Sequence, residues 1–184
     1  VPLIGFAGSP WTLLCYIVQG QGSKDFGEAK RFILNEPQRA KVMLEKITEA
    51  TIRYLHIQID SGCDALQIFD SWGGMLSPKM FDEFSLPYME RITKAVKDRV
   101  PVILFAKGAW YALDKLHATG ASALGLSWTT SPDYARKLCG PETVFQGNLD
   151  PTVLLASPDV VAKATKEMIE SFGGGNHIVN LGHG

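Results

Sequence analysis

Short apolar runs alternate along the chain with longer stretches of helical period. The runs lie at residues 3–6, 65–69, 102–106, 123–127, 143–146 and 177–181. They are nearly continuous in apolar character, the pattern of strands buried on both faces of a parallel sheet. Between them the punctuation repeats. Ser9-Pro10, Ser77-Pro78, Ser131-Pro132 and Ser157-Pro158 each place a capping side chain before a proline that suits the first helical position. Asp150-Pro151 has the same form, so Asp150 reads first as a cap. Ser23 is expected to cap a short helix ending at Asn35.

Glu36-Pro37 opens a longer helix to about residue 61. The spacing predicts Met43, Ile47, Ala50, Tyr54 and Ile57 on its buried face, with Lys41, Glu45, Glu49 and Arg53 toward water. The last helix shows the clearest amphipathic stripe, Val161, Ala164, Thr165, Met168, Ile169 and Phe172.

Six strand-to-helix alternations leave two architectures, an open doubly wound sheet and a (β/α)8 barrel. A nucleotide-binding open sheet should carry G-x-G-x-x-G or a P-loop after its first strand, and the chain has neither there. Polar residues instead follow the strands, as the active-site face of a barrel requires. A whole barrel takes about 250 residues and eight strands. The expectation is α/β, an incomplete TIM barrel of about six βα units in a single domain over residues 1–184.

Composition narrows the function classes. With 46% hydrophobic and 20% charged residues the chain has an ordinary globular balance. A net charge of −1 gives no electrostatic case for nucleic acid or an anionic membrane as partner. No apolar run approaches the roughly 20 residues of a membrane span. Cys15, Cys63 and Cys139 are scattered and odd in number, which suits reduced thiols in the cytoplasm better than a disulfide or zinc framework.

The residues at the strand exits that can carry chemistry are Tyr16, Asp70-Ser71, Lys107, Ser127-Trp128, Gln146, Asn148, Asp150 and His183. Tyr16 lies among Leu13, Leu14 and Ile17, so packing and a site role both remain open. Ser71 is either a site hydroxyl or one bonded to nearby backbone. Lys107 has the placement of a Schiff-base lysine; the plainer reading sends its ammonium to solvent or a carboxylate. His56, His117 and His177 read as surface or structural. His183, flanked by Gly182 and Gly184, has an accessible ring at a strand exit. Gly5 and Gly8 bracket the first strand and let backbone approach something closely.

Three stretches together resemble the uroporphyrinogen decarboxylase family: GFAGSPWTLLCYIVQG, LQIFDSWGGML, and FQGNLDP followed by HIVNLGHG. Gln19 departs from the Glu or Ala more usual there and is expected to tune only a local contact. The resemblance implies the third to eighth strands of a TIM barrel, without the first two strands and the final helix. It also implies a homodimer in the full-length protein. Its activity would be removal of the four acetate carboxyl groups of uroporphyrinogen III, giving coproporphyrinogen III. No cofactor and no metal are expected, because the protonated pyrrole is itself the electron sink. Tyr16, Ser71 and His183 match substrate-binding residues, and Gly5 and Gly8 would clear room for a macrocycle. The family's aspartate and its substrate-binding arginines correspond to positions before Val1, so no catalytic residue is assigned within the chain. The arginines that are present (Arg31, Arg39, Arg53, Arg91, Arg99 and Arg136) read onto helices away from the mouth.

Three rivals accompany this reading. A zinc-dependent methyltransferase on the same barrel needs His-x-Cys where this chain has Phe105-Ala106-Lys107. A Schiff-base aldolase would use Lys107. A barrel that only binds tetrapyrrole is the third.

Overall fold

The computed structural model describes residues 1–183. Six parallel strands pair in chain order: β1 (Ile4–Gly8), β2 (Ala65–Asp70), β3 (Val102–Ala106), β4 (Ala123–Gly125), β5 (Phe145–Leu149) and β6 (His177–Leu181), with β1 and β6 at the edges. Helices α1 (Pro10–Gln19), α2 (Gly27–Asn35) and α3 (Pro37–Asp60) connect β1 to β2. Next come α4 (Pro78–Phe84) and α5 (Leu86–Val96), then α6 (Leu113–Ala118), α7 (Pro132–Cys139) and α8 (Pro158–Ser171), each set bridging successive strands. Parallel strands added in sequence through helical crossovers make this a partial TIM barrel, as the sequence pattern predicts. Among the described residues no helix is long and apolar enough to cross a membrane.

Strand alternation sorts the two faces. Leu66, Ile68, Leu104, Leu124 and Phe145 join the core beneath the helices, with Trp11, Leu14, Leu44, Phe81 and Ile92. Gln67, Phe69, Phe105, Gly125, Gln146 and Asn180 face the opposite way, into the barrel interior. Register aligns Phe69 with Phe105, Phe105 with Gly125, and Gly125 with Gln146.

Several local expectations are corrected. The buried face of α3 is Ala40, Leu44, Thr48, Thr51 and Leu55, while Tyr54 and Ile57 are exposed. The cause is threonine: Thr48 Oγ1 donates to the Leu44 carbonyl at 2.7 Å, so a satisfied hydroxyl packs as an apolar group. The α8 stripe is only partly engaged, with Met168 and Phe172 buried and Ile169 exposed, because the helix covers the sheet near one edge. Ser23 accepts from the Phe26 N–H at 3.2 Å and organises the turn before α2 rather than its cap position. Ser9, Ser77 and Asp150 do cap, whereas the Ser131 and Ser157 side chains make no capping bond. β5 runs on to Leu149, past the expected end, because Asn148 is satisfied inside: its Nδ2 donates to the carbonyls of Ser127 (3.0 Å) and Thr130 (2.7 Å).

Gly5 serves the helix side of the sheet, not the mouth. A Cβ there would lie 2.9 Å from Cys63 Sγ, against the end of α3, so its bareness allows strand–helix contact rather than room for a ligand. Gln19 accepts from the Glu28 N–H at 3.3 Å at the start of α2, a local contact as expected.

The arginines follow their predicted placement on helices, except Arg99, which lies in the turn after α5. Arg91 pairs with Glu45 and Glu49 across α3 and α5, Arg99 with Asp60, Arg31 with Glu28 and Arg39 with Glu36. Arg136 sits under the sheet. It donates to the carbonyls of Pro141, Thr143, Gly175 and Asn176, and stands 4.9 Å over the Phe145 ring.

On the interior face, a Cβ at Gly125 would come within 2.7 Å of Phe105 Cδ2 and 2.9 Å of its Cβ. Gly125→Val should therefore destabilise the protein by about 1–3 kcal/mol through overpacking, read as a lower urea midpoint. An unchanged midpoint would mean that the Phe105 ring is free to shift.

Candidate active site

At the C-terminal ends of the strands a cavity of about 220 Å³ is lined by Gln67, Phe69, Phe105, Gln146, Asn180 and His183, among others. Its wall is an aromatic row. Phe6 meets Phe69 edge-on at 6.1 Å, Phe69 meets Phe105 at 6.1 Å, and Phe105 meets His183 at 5.7 Å. Such a wall offers apolar faces to a flat ligand. Its floor is neutral and polar: Gln146 Nε2 reaches Gln67 Oε1 at 3.5 Å, and Gln146 Oε1 is buried without a partner.

The loop after β2 is fixed from below by Asp70, which is fully buried. Its Oδ1 accepts from Ser9 Oγ (2.8 Å) and Thr12 Oγ1 (2.9 Å), and its Oδ2 from Ser85 Oγ (2.5 Å). Burial pushes this carboxyl above its ordinary range; the Ser85, Ser9 and Thr12 hydroxyls and the Trp72 backbone N–H pull it back. One carboxylate thus ties the first turn of α1, the start of α5 and its own loop together. Trp11 Nε1 adds a bond to the Trp72 carbonyl at 3.1 Å. The sequence singled out Asp70 only as one polar strand-end residue. Its role was hidden because two of its hydroxyl partners stand 61 and 58 positions away.

The expected binding residues fall into two groups. Tyr16 is on the outer side of α1, 43% exposed, while Trp11, Leu14 and Cys15 supply the buried face. It does not share the buried face of α1 with Leu14. Its ring meets Phe26 edge-on at 5.7 Å and Trp72 at 6.3 Å. Ser71 precedes Trp72 in the same loop and is half-buried. These two lie at the exits of β1 and β2, outside the lining of the cavity. His183 is on the far side, in the cavity wall. The row from Phe69 to Phe105 spans the distance between the groups.

Lys107 is half-exposed, in keeping with an ammonium that reaches solvent. Its Nζ lies 5.4 Å from the centre of the Trp128 ring, and among the described residues it is paired with no carboxylate. His183 is pushed below the ordinary imidazole range, first by burial and then by the charge of Lys107. His177 is structural, as expected: its Nε2 is 2.6 Å from the Gly147 carbonyl and its ring stacks on Phe172 at 3.7 Å. His56 contacts Arg99 at the surface. Among the described residues no group of His, Cys, Asp and Glu could hold a metal ion. Burial drives the Cys15 thiol well above its usual range and Cys139 up to about 11, so neither is a thiolate nucleophile.

The family model described as uroporphyrinogen decarboxylase (URO-D) matches residues 1–184. A uroporphyrinogen decarboxylase from Christiangramia forsetii is 54% identical over all of this chain and 54% of its own length. The one from Schizosaccharomyces pombe is 48% identical, again over the whole chain and 54% of the relative. The chain spans about half the length of the curated relatives it matches. A solved methyltransferase from Methanosarcina mazei superimposes with a TM-score of 0.83 at 20% identity, covering 97% of this chain and 52% of that one, which speaks to the fold alone.

Two measurements probe this end of the sheet. Asp70→Asn replaces one of the two acceptor oxygens by an NH2 donor facing a hydroxyl that now donates to it, and removes the charge, which should cost about 1–3 kcal/mol in chemical denaturation; undiminished stability would show that the hub contributes nothing. For His183, a folded pKa below the unfolded value of 6.5 means the unfolded chain takes up the proton first. Its contribution to stability should be intact above pH 6.5 and fall as the solution is acidified below that value. His183→Asn should flatten this segment of the stability–pH curve.

Proposed function

Because the chain belongs to the uroporphyrinogen decarboxylase family, we propose that it forms one side of the active site of an enzyme that converts uroporphyrinogen III to coproporphyrinogen III. In this reading the segment supplies the third to eighth strands of a (β/α)8 barrel within a homodimeric protein. The single observation that carries it is the likeness to decarboxylases over the whole chain. The cavity of aromatic wall and amide floor at the strand ends gives that likeness a physical site.

The substrate carries eight carboxylates around a macrocycle of four pyrroles joined by methylene bridges, and each acetate arm loses its carboxyl group as CO₂. A proton added to a pyrrole ring carbon makes a cation, which accepts the electron pair of the breaking C–C bond. A second proton converts the exocyclic methylene to a methyl group, and the first proton then leaves the ring carbon to restore the neutral pyrrole. No metal or organic cofactor enters. The protein's part is to hold anionic arms, deliver protons and stabilise a transient positive charge. Tyr16 and Ser71 offer hydroxyl donors beside Trp72, and His183 offers a ring nitrogen in the cavity wall. All three are assigned here to carboxylate arms, with Tyr16 near the reacting acetate. Support comes from their positions after strand ends, Tyr16 exposed and Ser71 and His183 half-buried, and for Ser71 from its place directly after Asp70. The free thiols of Cys15, Cys63 and Cys139 suit a reducing cytoplasm.

Protein extended to the length of the relatives should release four CO₂ per uroporphyrinogen III and yield coproporphyrinogen III on chromatography. The 184-residue chain alone should give none. Tyr16→Phe, Ser71→Ala and His183→Asn should each lower kcat/KM by about 10- to 100-fold, the worth of one charge-assisted hydrogen bond. Absence of coproporphyrinogen from the extended protein would overturn the reading.

A further inference from the structure

Lys107 directly follows β3, and the main chain there is held from both sides. Its N–H donates to the Asp70 carbonyl at 3.0 Å, and its own carbonyl accepts from the Gly74 N–H at 2.9 Å. The contact is close: a Cβ on Gly74 would lie 2.5 Å from the Lys107 oxygen. The lysine is therefore rooted in the same frame that Asp70 builds. Its ammonium stands 5.4 Å from the Trp128 ring centre and near enough to His183, which lines the cavity, for its charge to act on that imidazole; Lys107 itself lies outside the cavity lining.

An ammonium has three N–H donors, and an aromatic face attracts the charge while satisfying none of them fully. Arg31, Arg39, Lys41, Arg91, Lys94, Arg99 and Lys115 each pair with an acidic side chain on the outer surface. Lys107 has no such partner among the described residues. Of the two residues that follow each strand, it is also the sole lysine or arginine at any of the six exits. A cation held at the mouth with unused donors is built to meet an anion brought by a ligand.

We infer that Lys107 is a substrate-binding residue that takes a carboxylate arm of the tetrapyrrole, with Trp128 holding the ammonium in place and His183 beside it. The inference rests on the decarboxylase reading of this site. It assigns a charged partner within this chain to a substrate whose arms are all anionic. The Schiff-base role is set aside, since the lysine acts here as a protonated donor and forms no bond to carbon.

The test uses the protein extended to the length of its relatives, with uroporphyrin (the oxidised octacarboxylate) as the binding probe and uroporphyrinogen III for turnover. Lys107→Gln should raise Kd and KM about tenfold, the loss of one charge-assisted contact, with kcat within about twofold. It should also flatten the dependence of Kd on salt concentration, which a packing defect would leave unchanged. Lys107→Arg should restore most of the affinity and the salt dependence. Wild-type affinity in Lys107→Gln, or equal impairment in Lys107→Arg and Lys107→Gln, would overturn the assignment. If wild-type protein neither binds uroporphyrin nor decarboxylates uroporphyrinogen, the decarboxylase reading falls first. Normal wild-type turnover with an undisturbed Lys107→Gln removes only the role of Lys107.

Discussion

A carboxylate with no access to water holds the working end of this fold in register. Asp70 ends β2 where the next residues must leave the sheet, and a fully buried charge there is tolerable only if donors converge on it. Ser9, Thr12 and Ser85 supply them. Ser9 accepts from the Thr12 N–H as a helix cap and donates to Asp70, so one hydroxyl both starts α1 and joins it to β2. The loop carrying Ser71 and Trp72, the helix carrying Tyr16 and the main chain of Lys107 are all referred to this point. Three strand exits thus share one electrostatic anchor rather than moving as separate loops.

The architecture was legible because its signals are local. Unbroken apolar runs, Ser-Pro helix starts and glycines after helices fall within a few residues of what they control, and all six strands were found. Errors came where a polar side chain is satisfied internally. Thr48 and Thr51 shift the buried face of α3 away from Tyr54 and Ile57, because backbone acceptors make hydroxyls compatible with the core. Asn148 lengthens β5 by bonding to carbonyls of the neighbouring segment, which composition reads as a turn.

The candidate site was legible only in part, for a related reason. Tyr16, Ser71 and His183 are polar residues that follow strand ends, so position in the chain alone singles them out. What joins them is the aromatic row of Phe6, Phe69 and Phe105, and these looked like ordinary strand residues. Nothing in a linear pattern separates an inward-facing phenylalanine that walls a cavity from one buried under helices. The same ambiguity concealed Gly125, whose missing side chain lets the Phe105 ring occupy the interior.

Arg136 has a consequence for how the structure breathes. Its guanidinium joins the residues that lead into β5 and β6, where an edge strand has ladder bonds on one side only. At the other end, the Gly182 N–H donates to the Leu149 carbonyl at 2.7 Å. β6 is therefore held at both ends by groups outside its own run, in addition to its ladder with β5, and the amides it bonds to β5 are released by local opening that must also loosen these end contacts. One of the contacts that steady this strand, and with it the segment leading to His183, thus comes from the underside of the sheet, from a helix that never reaches the mouth.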